Sequence, residues 1–431
     1  MEISYLNHAS IIVKQDGVRL LIDPWLDGTA FEGGWGLRYD NPEAMKQVEA
    51  CTHLWVSHFH QDHFHRPTLQ KILAIHPNII FLGNNSYNFQ LDEAAKKLGF
   101  KNVFSVFERK PIDLSDDFRI TRYPTRGIDN MLLIKTNGIT ILNYNDCRIP
   151  PLSQKLLKKK FGKIDILLSN FNHAGKLLLY PFPSPGVIKE KLISNFSENY
   201  KIFNPSCILP FASYHYYKVP ASFKQNEAML TGDDLAPLDK RIKPWKIGDK
   251  LVWEGNGAII KKGNDAFQNE LEELSYKQNY TKEEIINAAG QFALTLKKRL
   301  GWISGFFPVL YIEIADLSEI IGFKISKGGF SADKKTQPHI IAHSQALINW
   351  FGKPFGTDSF VVGAHFDIKN ENRIPLKWQI ALGILVESKL DLKSMFLMLF
   401  SRKGLRFLKS RREELLGHLL QFRLTANYHD D

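Results

Sequence analysis

The chain has 431 residues, 44% of them hydrophobic, 12% aromatic and 23% charged. This composition excludes a disordered or low-complexity protein, and the length exceeds what one ordinary core serves, so two domains are expected. A net charge of +11 points to anionic partners without choosing among small molecules, nucleic acid and a membrane surface.

Residues 1–23 read as two strands joined by the turn Gln15-Asp16-Gly17, the second ending in Ile22-Asp23-Pro24-Trp25. His8, within Asn7-His8-Ala9-Ser10, reads equally well as a pocket residue or as an ordinary strand histidine. Residues 28–41, rich in glycine and aromatic side chains, read as a loop over the strand ends. The apolar run Thr52-His53-Leu54-Trp55-Val56 then feeds the densest cluster of the chain, Ser57-His58-Phe59-His60-Gln61-Asp62-His63. In extended chain His58 and His60 fall on one side, while Asp62 and His63 turn towards a second point. Nitrogen and oxygen donors so placed suit one or two neighbouring ions of zinc, iron or manganese. A helix over Pro67–Ile75, a buried strand over Ile79–Leu82 and a helix over Leu91–Leu98, stopped by Gly99, follow.

The runs Ile128–Ile134 and Gly138–Cys147 read as a β-hairpin that delivers Asp146 to the same end. Two later strands end in polar clusters, Ser169-Asn170-Phe171-Asn172-His173 and Ala212-Ser213-Tyr214-His215, so His173 and His215 are candidate late ligands. The alternation of strands and helices to about Gly257 argues for α/β layers.

The pattern His58-x-His60-x-Asp62-His63 resembles the signature of the metallo-β-lactamase superfamily, and the resemblance covers roughly Met1 to Gly257. It implies a four-layer αββα fold over residues 1–260. It also implies metal ligation by His58, His60, Asp62, His63 and Asp146, with Asp146 bridging two ions or completing one site. Asp23 would lie beneath these ligands and orient an imidazole, and Asp62 would orient or deprotonate a metal-bound water. Two departures stand out. The segment Tyr123–Gly127 lacks a histidine that most members have, and Ala212 stands where many have their last. Within the superfamily, Met131–Cys147, Leu167–Phe171 and Leu209–Tyr214 are similar to the catalytic portion of the CMP-N-acetylneuraminate hydroxylases. Those enzymes couple this fold to a Rieske domain, whose Cys-x-His ligand pairs the three cysteines of this sequence cannot build.

The expected function is metal-dependent hydrolysis of an anionic small molecule or phosphoester, with one or two divalent zinc or iron ions as cofactor. His8, Arg126 and Arg148 are the candidate substrate-binding residues, with Lys176 a further cation nearby. Two alternatives stay open: an iron-dependent oxygenase drawing electrons from a separate protein, and a degenerate metal-binding protein without catalysis.

After Gly257 the composition shifts, and residues 265–431 read as a smaller α+β domain. Asn264–Lys298 has helical period with Thr281 as N-cap. Phe306–Ile325 reads as strands, His339–Phe351 as an amphipathic helix, Phe360–Ile368 as a strand, and the chain after Leu376 as helices. His339, His343 and His365 read as core or rim histidines, the first two lacking an acidic partner. Ser394–Arg423 reads as a basic amphipathic helix, with Arg402, Lys403, Arg406 and Lys409 beside Phe396, Leu399 and Leu405. Such a helix can lie weakly on an anionic membrane, though packing on its own domain is the commoner use. No aromatic-interleaved basic surface favours nucleic acid. Cys51, Cys147 and Cys207 form no CxxC pair, and no leader or transmembrane stretch is evident, so a reducing, cytoplasmic setting is expected.

Overall fold

The computed structural model describes residues 1–84, 91–125, 129–176, 183–255, 257–263 and 266–369, with positions 374–375, 377–378, 401, 405, 409 and 411–412 beyond them. Two sheets share one core. The first runs, edge to edge, Gly257–Lys261, Lys250–Glu254, Glu2–Asn7, Ser10–Gln15, Val18–Ile22, His53–Trp55, Ile80–Gly83 and Val103–Ser105. The second runs Pro111–Ser115, Phe118–Pro124, Asn130–Thr136, Ile139–Asn145, Ile166–Ser169 and Cys207–Pro210.

Side-chain alternation fixes the layers. Ile3, Tyr5, Ile11, Val13, Leu20 and Ile22 point into the inter-sheet core, where they meet Ile120, Leu132, Ile134, Ile141 and Ile166 of the second sheet. Leu6, Ile12 and Leu21, out of phase by one residue, lie instead under the helices Arg66–Ile75 and Leu91–Leu98, against Leu69, Ile72, Leu91 and Ala95. Helices Pro151–Phe161 and Pro185–Phe203 cover the other sheet through Leu157, Phe161, Leu192 and Phe196. The result is the four-layer αββα arrangement.

The C-terminal segment is α+β. Its sheet runs Gly328–Ser331, Glu319–Lys324, Leu310–Ile314, Ile340–Ala342 and Asp367–Ile368, with the helix Lys282–Leu300 packed on it through Ile285, Ala289, Ala293 and Leu296. That helix opens on a capping box: the Glu284 amide donates to the Thr281 hydroxyl and the Thr281 amide to the Glu284 carboxylate.

Several local expectations change. Residues 1–23 hold three strands, because Asn7–Ser10 is itself a turn in which His8 takes φ +28°. The segment over the strand ends carries short strands, Thr29–Ala30, Trp35–Leu37 and Tyr39–Asp40, and Trp35–Leu37 pairs with His215–Tyr217. Residues 269–281 are not helical; the helix starts only at the Thr281 cap. His339 and His343 flank the strand Ile340–Ala342, His343 caps the helix Ser344–Gly352, and Asp316 lies 3.8 Å from it as an acidic partner. Gly356–Val362 is a helix, with only Asp367–Ile368 extended, because a short apolar run without period fits either state. The proposed helix Ser394–Arg423 lies almost wholly outside the described residues; within it, Arg411 is buried and its Nε donates to the Thr125 carbonyl. No helix among the described residues is long and apolar enough to cross a membrane.

Candidate metal centre

Strands Val18–Ile22 and His53–Trp55 run parallel with Ile22 opposite Trp55, so the residues that follow them emerge side by side. This places Asp23 beneath the histidine loop, at the carboxyl ends of the strands where open α/β sheets put their sites. Asp23 is fully buried. Its carboxylate accepts from the Ser57 amide (2.7 Å), the Ser57 hydroxyl (2.8 Å), Asn145 Nδ2 (2.8 Å) and His63 Nδ1 (3.0 Å).

With Nδ1 anchored, His63 turns Nε2 towards Asp146 Oδ2 (2.9 Å) and Asp62 Oδ2 (3.2 Å). His58 is held in the same sense. Its Nδ1 sits 2.8 Å from Ser57 Oγ, and its Nε2 lies 2.8 Å from His60 Nδ1 and 3.6 Å from Asp129 Oδ1. His8 enters from its turn with Nε2 3.2 Å from Asp62 Oδ2. Positive φ at His8, Asp23 and Asn145 marks the same spot as locally strained, a cost found where function requires it.

Three groups of donor atoms lie within 4.8 Å of one another: His8, Asp62 and His63; His58, His63 and Asp146; and His58, His60 and Asp129. Asp62 Oδ1 and Asp146 Oδ1 are buried with no hydrogen-bond partner among the described residues. Bare polar atoms cost about 1–3 kcal/mol each, and more when charged, a penalty a bound cation removes. Imidazole and carboxylate donors suit zinc and iron alike, so the residues present fit a metal.

The protonation states agree. Burial pushes His58 well below the ordinary imidazole range, helped by His63 and His60, so its lone pair is bare. Burial also opposes charge on His63, but Asp146, Asp62 and Asp23 outweigh it and raise that imidazole well above its usual range. Burial would raise Asp62, yet His63 and His8 hold it well below the usual carboxylate range. Without metal the centre is a buried ion-pair network. A bound cation would take the place of the proton on His63.

The structure thus brings His58, His60, Asp62, His63, Asp146 and Asp23 together and adds His8 beside Asp62. His215 and His173 fall outside the donor groups. His215 stacks on Trp35 (3.8 Å between ring centroids) at 5.3 Å from His8, and His173 stacks on Tyr217. Burial pushes His173 down to about 4, with Arg148 adding to the effect. Arg148 is exposed and lines a cavity of about 300 Å³ together with Pro150, Asn170 and Asn172. Lys176 cannot serve a substrate anion: its ammonium is buried against Asp367 (2.9 Å) and the Ala221 carbonyl (2.8 Å). Arg126 lies outside the described residues.

Sequence reasoning missed Asp129. It follows the segment without the superfamily histidine and supplies a carboxylate there, a substitution that counting histidines overlooks. It also missed the C-terminal segment's part in the site. Gln61 Nε2 donates to Ser359 Oγ (2.9 Å), and Asp358 lies 3.5 Å from His60. A cavity of about 760 Å³ opens at this seam, between Phe59, Gln61 and Arg66 on one side and Tyr276, Lys277 and Phe355 on the other.

Residues 2–177 match the family model described as β-lactamase superfamily domain. The inactive cytidine monophosphate-N-acetylneuraminic acid hydroxylase of Homo sapiens is 27% identical over 271 residues, covering 59% of this chain and 52% of that protein. The Xenopus laevis cytidine monophosphate-N-acetylneuraminic acid hydroxylase is 27% identical over 282 residues, covering 61% and 46%. The chain therefore spans about half the length of the curated relatives it matches. Among solved structures, isothiocyanate hydrolase from Delia radicum gut bacteria aligns with TM-score 0.43 and 16% identity, over 59% of this chain and 99% of that one. Residues 2–177 are therefore similar to the β-lactamase superfamily domain, and the αββα layers that contain them run on to Lys261.

Proposed function

We propose that the chain is an iron-dependent oxygenase that hydroxylates an anionic small molecule, with electrons supplied by a separate protein. Every donor group among the described residues consists of two imidazoles and one carboxylate, a set open to iron, and the similarity to the hydroxylases carries the choice of iron over zinc. An imidazole nitrogen binds one ion, so groups that share His58 or His63 cannot all be filled. The economical solution has one position at His58, His60 and Asp129 and another at His8, Asp62 and His63. Asp146, whose Oδ2 lies 2.9 Å from His63 Nε2 and whose carboxylate groups with His58 and His63, would be a further carboxylate ligand. Two histidines and a carboxylate with open positions are the set that non-haem iron oxygenases use to activate oxygen. The hydroxylase relatives support the same reaction class, though they are matched over only part of their length.

Hydroxylation consumes dioxygen, two electrons and two protons. One oxygen atom enters the substrate as hydroxyl and the other leaves as water. The chain's own residues would hold the ligand tautomers, exclude bulk water from the buried donors and bind the substrate anion. Arg66 and Lys277, which line the seam cavity, would be the cations to bind it.

Hydrolysis is the second reading, and Asp62 favours it. Its Oδ1, buried and without a hydrogen-bond partner among the described residues, would accept a proton from an attacking water. Metal content of protein purified without added metal, with His58→Ala as control, separates the two when combined with oxygen uptake under a chemical reductant. Iron with uptake lost in the control supports oxygenation. Zinc without uptake moves the assignment to hydrolysis, and no metal above the control refutes both.

A further inference from the structure

A histidine that offers one ring nitrogen to a metal needs a fixed partner on the other, since that partner sets the tautomer and the ring plane. For His58 the partner is Ser57 Oγ, its sequence neighbour. For His63 it is Asp23, on the adjacent strand. His60 faces the donors with Nδ1, so its Nε2 requires a partner in turn. That nitrogen is buried without a hydrogen bond among the described residues, and so is Asp358 Oδ1, 3.5 Å away.

We propose that Asp358 is the positioning carboxylate of His60, so that the C-terminal segment completes the metal centre by receiving His60 Nε2–H and leaving Nδ1 bare for an ion. This rests on the metal-centre reading above. At 3.5 Å the pair stands at the outer limit of a hydrogen bond, and a small rotation of the His60 ring closes it. Neither atom has another hydrogen-bond partner among the described residues.

The placement of Asp358 is held from several sides. Ser359, the next residue, accepts from Gln61 Nε2 (2.9 Å). His365 Nε2 lies 2.7 Å from the Phe31 carbonyl, and the Ser222 hydroxyl donates to the Ala364 carbonyl (2.7 Å). The Lys176 amide donates to the Val361 carbonyl (3.1 Å), and its ammonium pairs with Asp367. These contacts fix the helix Gly356–Val362 over the histidine loop, so Asp358 does not reach His60 by side-chain flexibility alone. A carboxylate buried without a partner would be strongly disfavoured, and the His60 imidazole is the group that resolves it.

The test is cobalt(II) binding by the full chain, measured by chelator competition and by the visible absorption of the bound ion. Removing such an outer partner typically weakens metal binding 10–100-fold. Asp358→Ala and Asp358→Asn are therefore expected to lose roughly that much affinity and to shift the cobalt band, with thermal unfolding of the metal-free Asp358→Asn protein near wild type. Wild-type affinity and spectrum in Asp358→Asn would overturn the proposal, whatever Asp358→Ala does to docking. Failure of the wild-type chain to bind cobalt would instead remove the metal-centre reading and this proposal with it.

Discussion

Asp23 offers the sharpest test of how the centre is held. In Asp23→Ala the four groups bonded to its carboxylate lose their acceptor in a fully buried site. Two of them have fallback partners: Asn145 Nδ2 lies 3.1 Å from Ser57 Oγ, and His63 Nδ1 lies 3.4 Å from it. The Ser57 amide proton has no such substitute among the described residues, and the hydroxyl can turn to His58 Nδ1 (2.8 Å) only at the cost of that ring's tautomer. At about 1–3 kcal/mol per stranded buried donor, the metal-free protein should lose about 2–6 kcal/mol, read as a lower urea midpoint. Asp23→Asn separates shape from charge. Asparagine tolerates the φ of +43° and keeps the volume, but it turns an amide where His63 needs an acceptor. It should cost less stability and still weaken metal binding roughly 10–100-fold. A loss below about 1 kcal/mol in Asp23→Ala would refute the idea that this carboxylate organises the loop.

Asp129→Ala should lower metal stoichiometry from two ions to one per chain by elemental analysis, since it removes the carboxylate of one donor group; unchanged stoichiometry would remove Asp129 from the ligand set. His365 is fully enclosed, and burial holds its imidazole down at about 4 despite its contact with the Phe31 carbonyl. The unfolded chain takes up that proton first, so His365 contributes stability above its unfolded value near 6.5 that is lost as pH falls towards about 4. The loss is on the order of 3 kcal/mol, and His365→Asn should flatten that part of a denaturant-midpoint profile; an identical profile would refute it. Gly34→Ala should cost about 1–3 kcal/mol by overpacking. A Cβ there would meet the Gly363 carbonyl oxygen at 2.5 Å, backbone that cannot swing aside. A neutral Gly34→Ala in urea unfolding would mean the seam is looser than described.

What was legible in the sequence is what has a local period or a fixed spacing. The strands Ser10–Gln15 and Val18–Ile22 announce themselves by a tight turn between β-branched runs, and the hairpin carrying Asp146 does the same. The Thr281 cap is a three-residue pattern. The five candidate ligands of the motif and hairpin that the structure brings together sit either in one six-residue motif or at a strand end. Where local signals fail, tertiary contacts decide. Phe360–Val362 is apolar throughout, and only its packing against Trp350 and Phe366 settles it as helix end rather than strand. Lys176 read as a cation open to a substrate because Asp367, its partner, is 191 positions away.

The outer partners of the three loop histidines make the same point within one site. Ser57 adjoins His58 in sequence, Asp23 reaches His63 through one parallel strand pair, and Asp358 reaches His60 from a different sheet system. All three perform one task, fixing which nitrogen is bare, yet the distance along the chain grows at each step. A motif search finds the ligands because their spacing is set by the loop itself. It cannot find the groups that orient them, since those need only be near in space. Orientation in turn decides whether donors within 4.8 Å of one another can converge on an ion or merely neutralise one another. The seam between the two parts of the chain therefore belongs to the chemistry of the centre. Substitutions at Gly34 or Ser359, which touch no donor, should alter metal affinity through the position of Asp358.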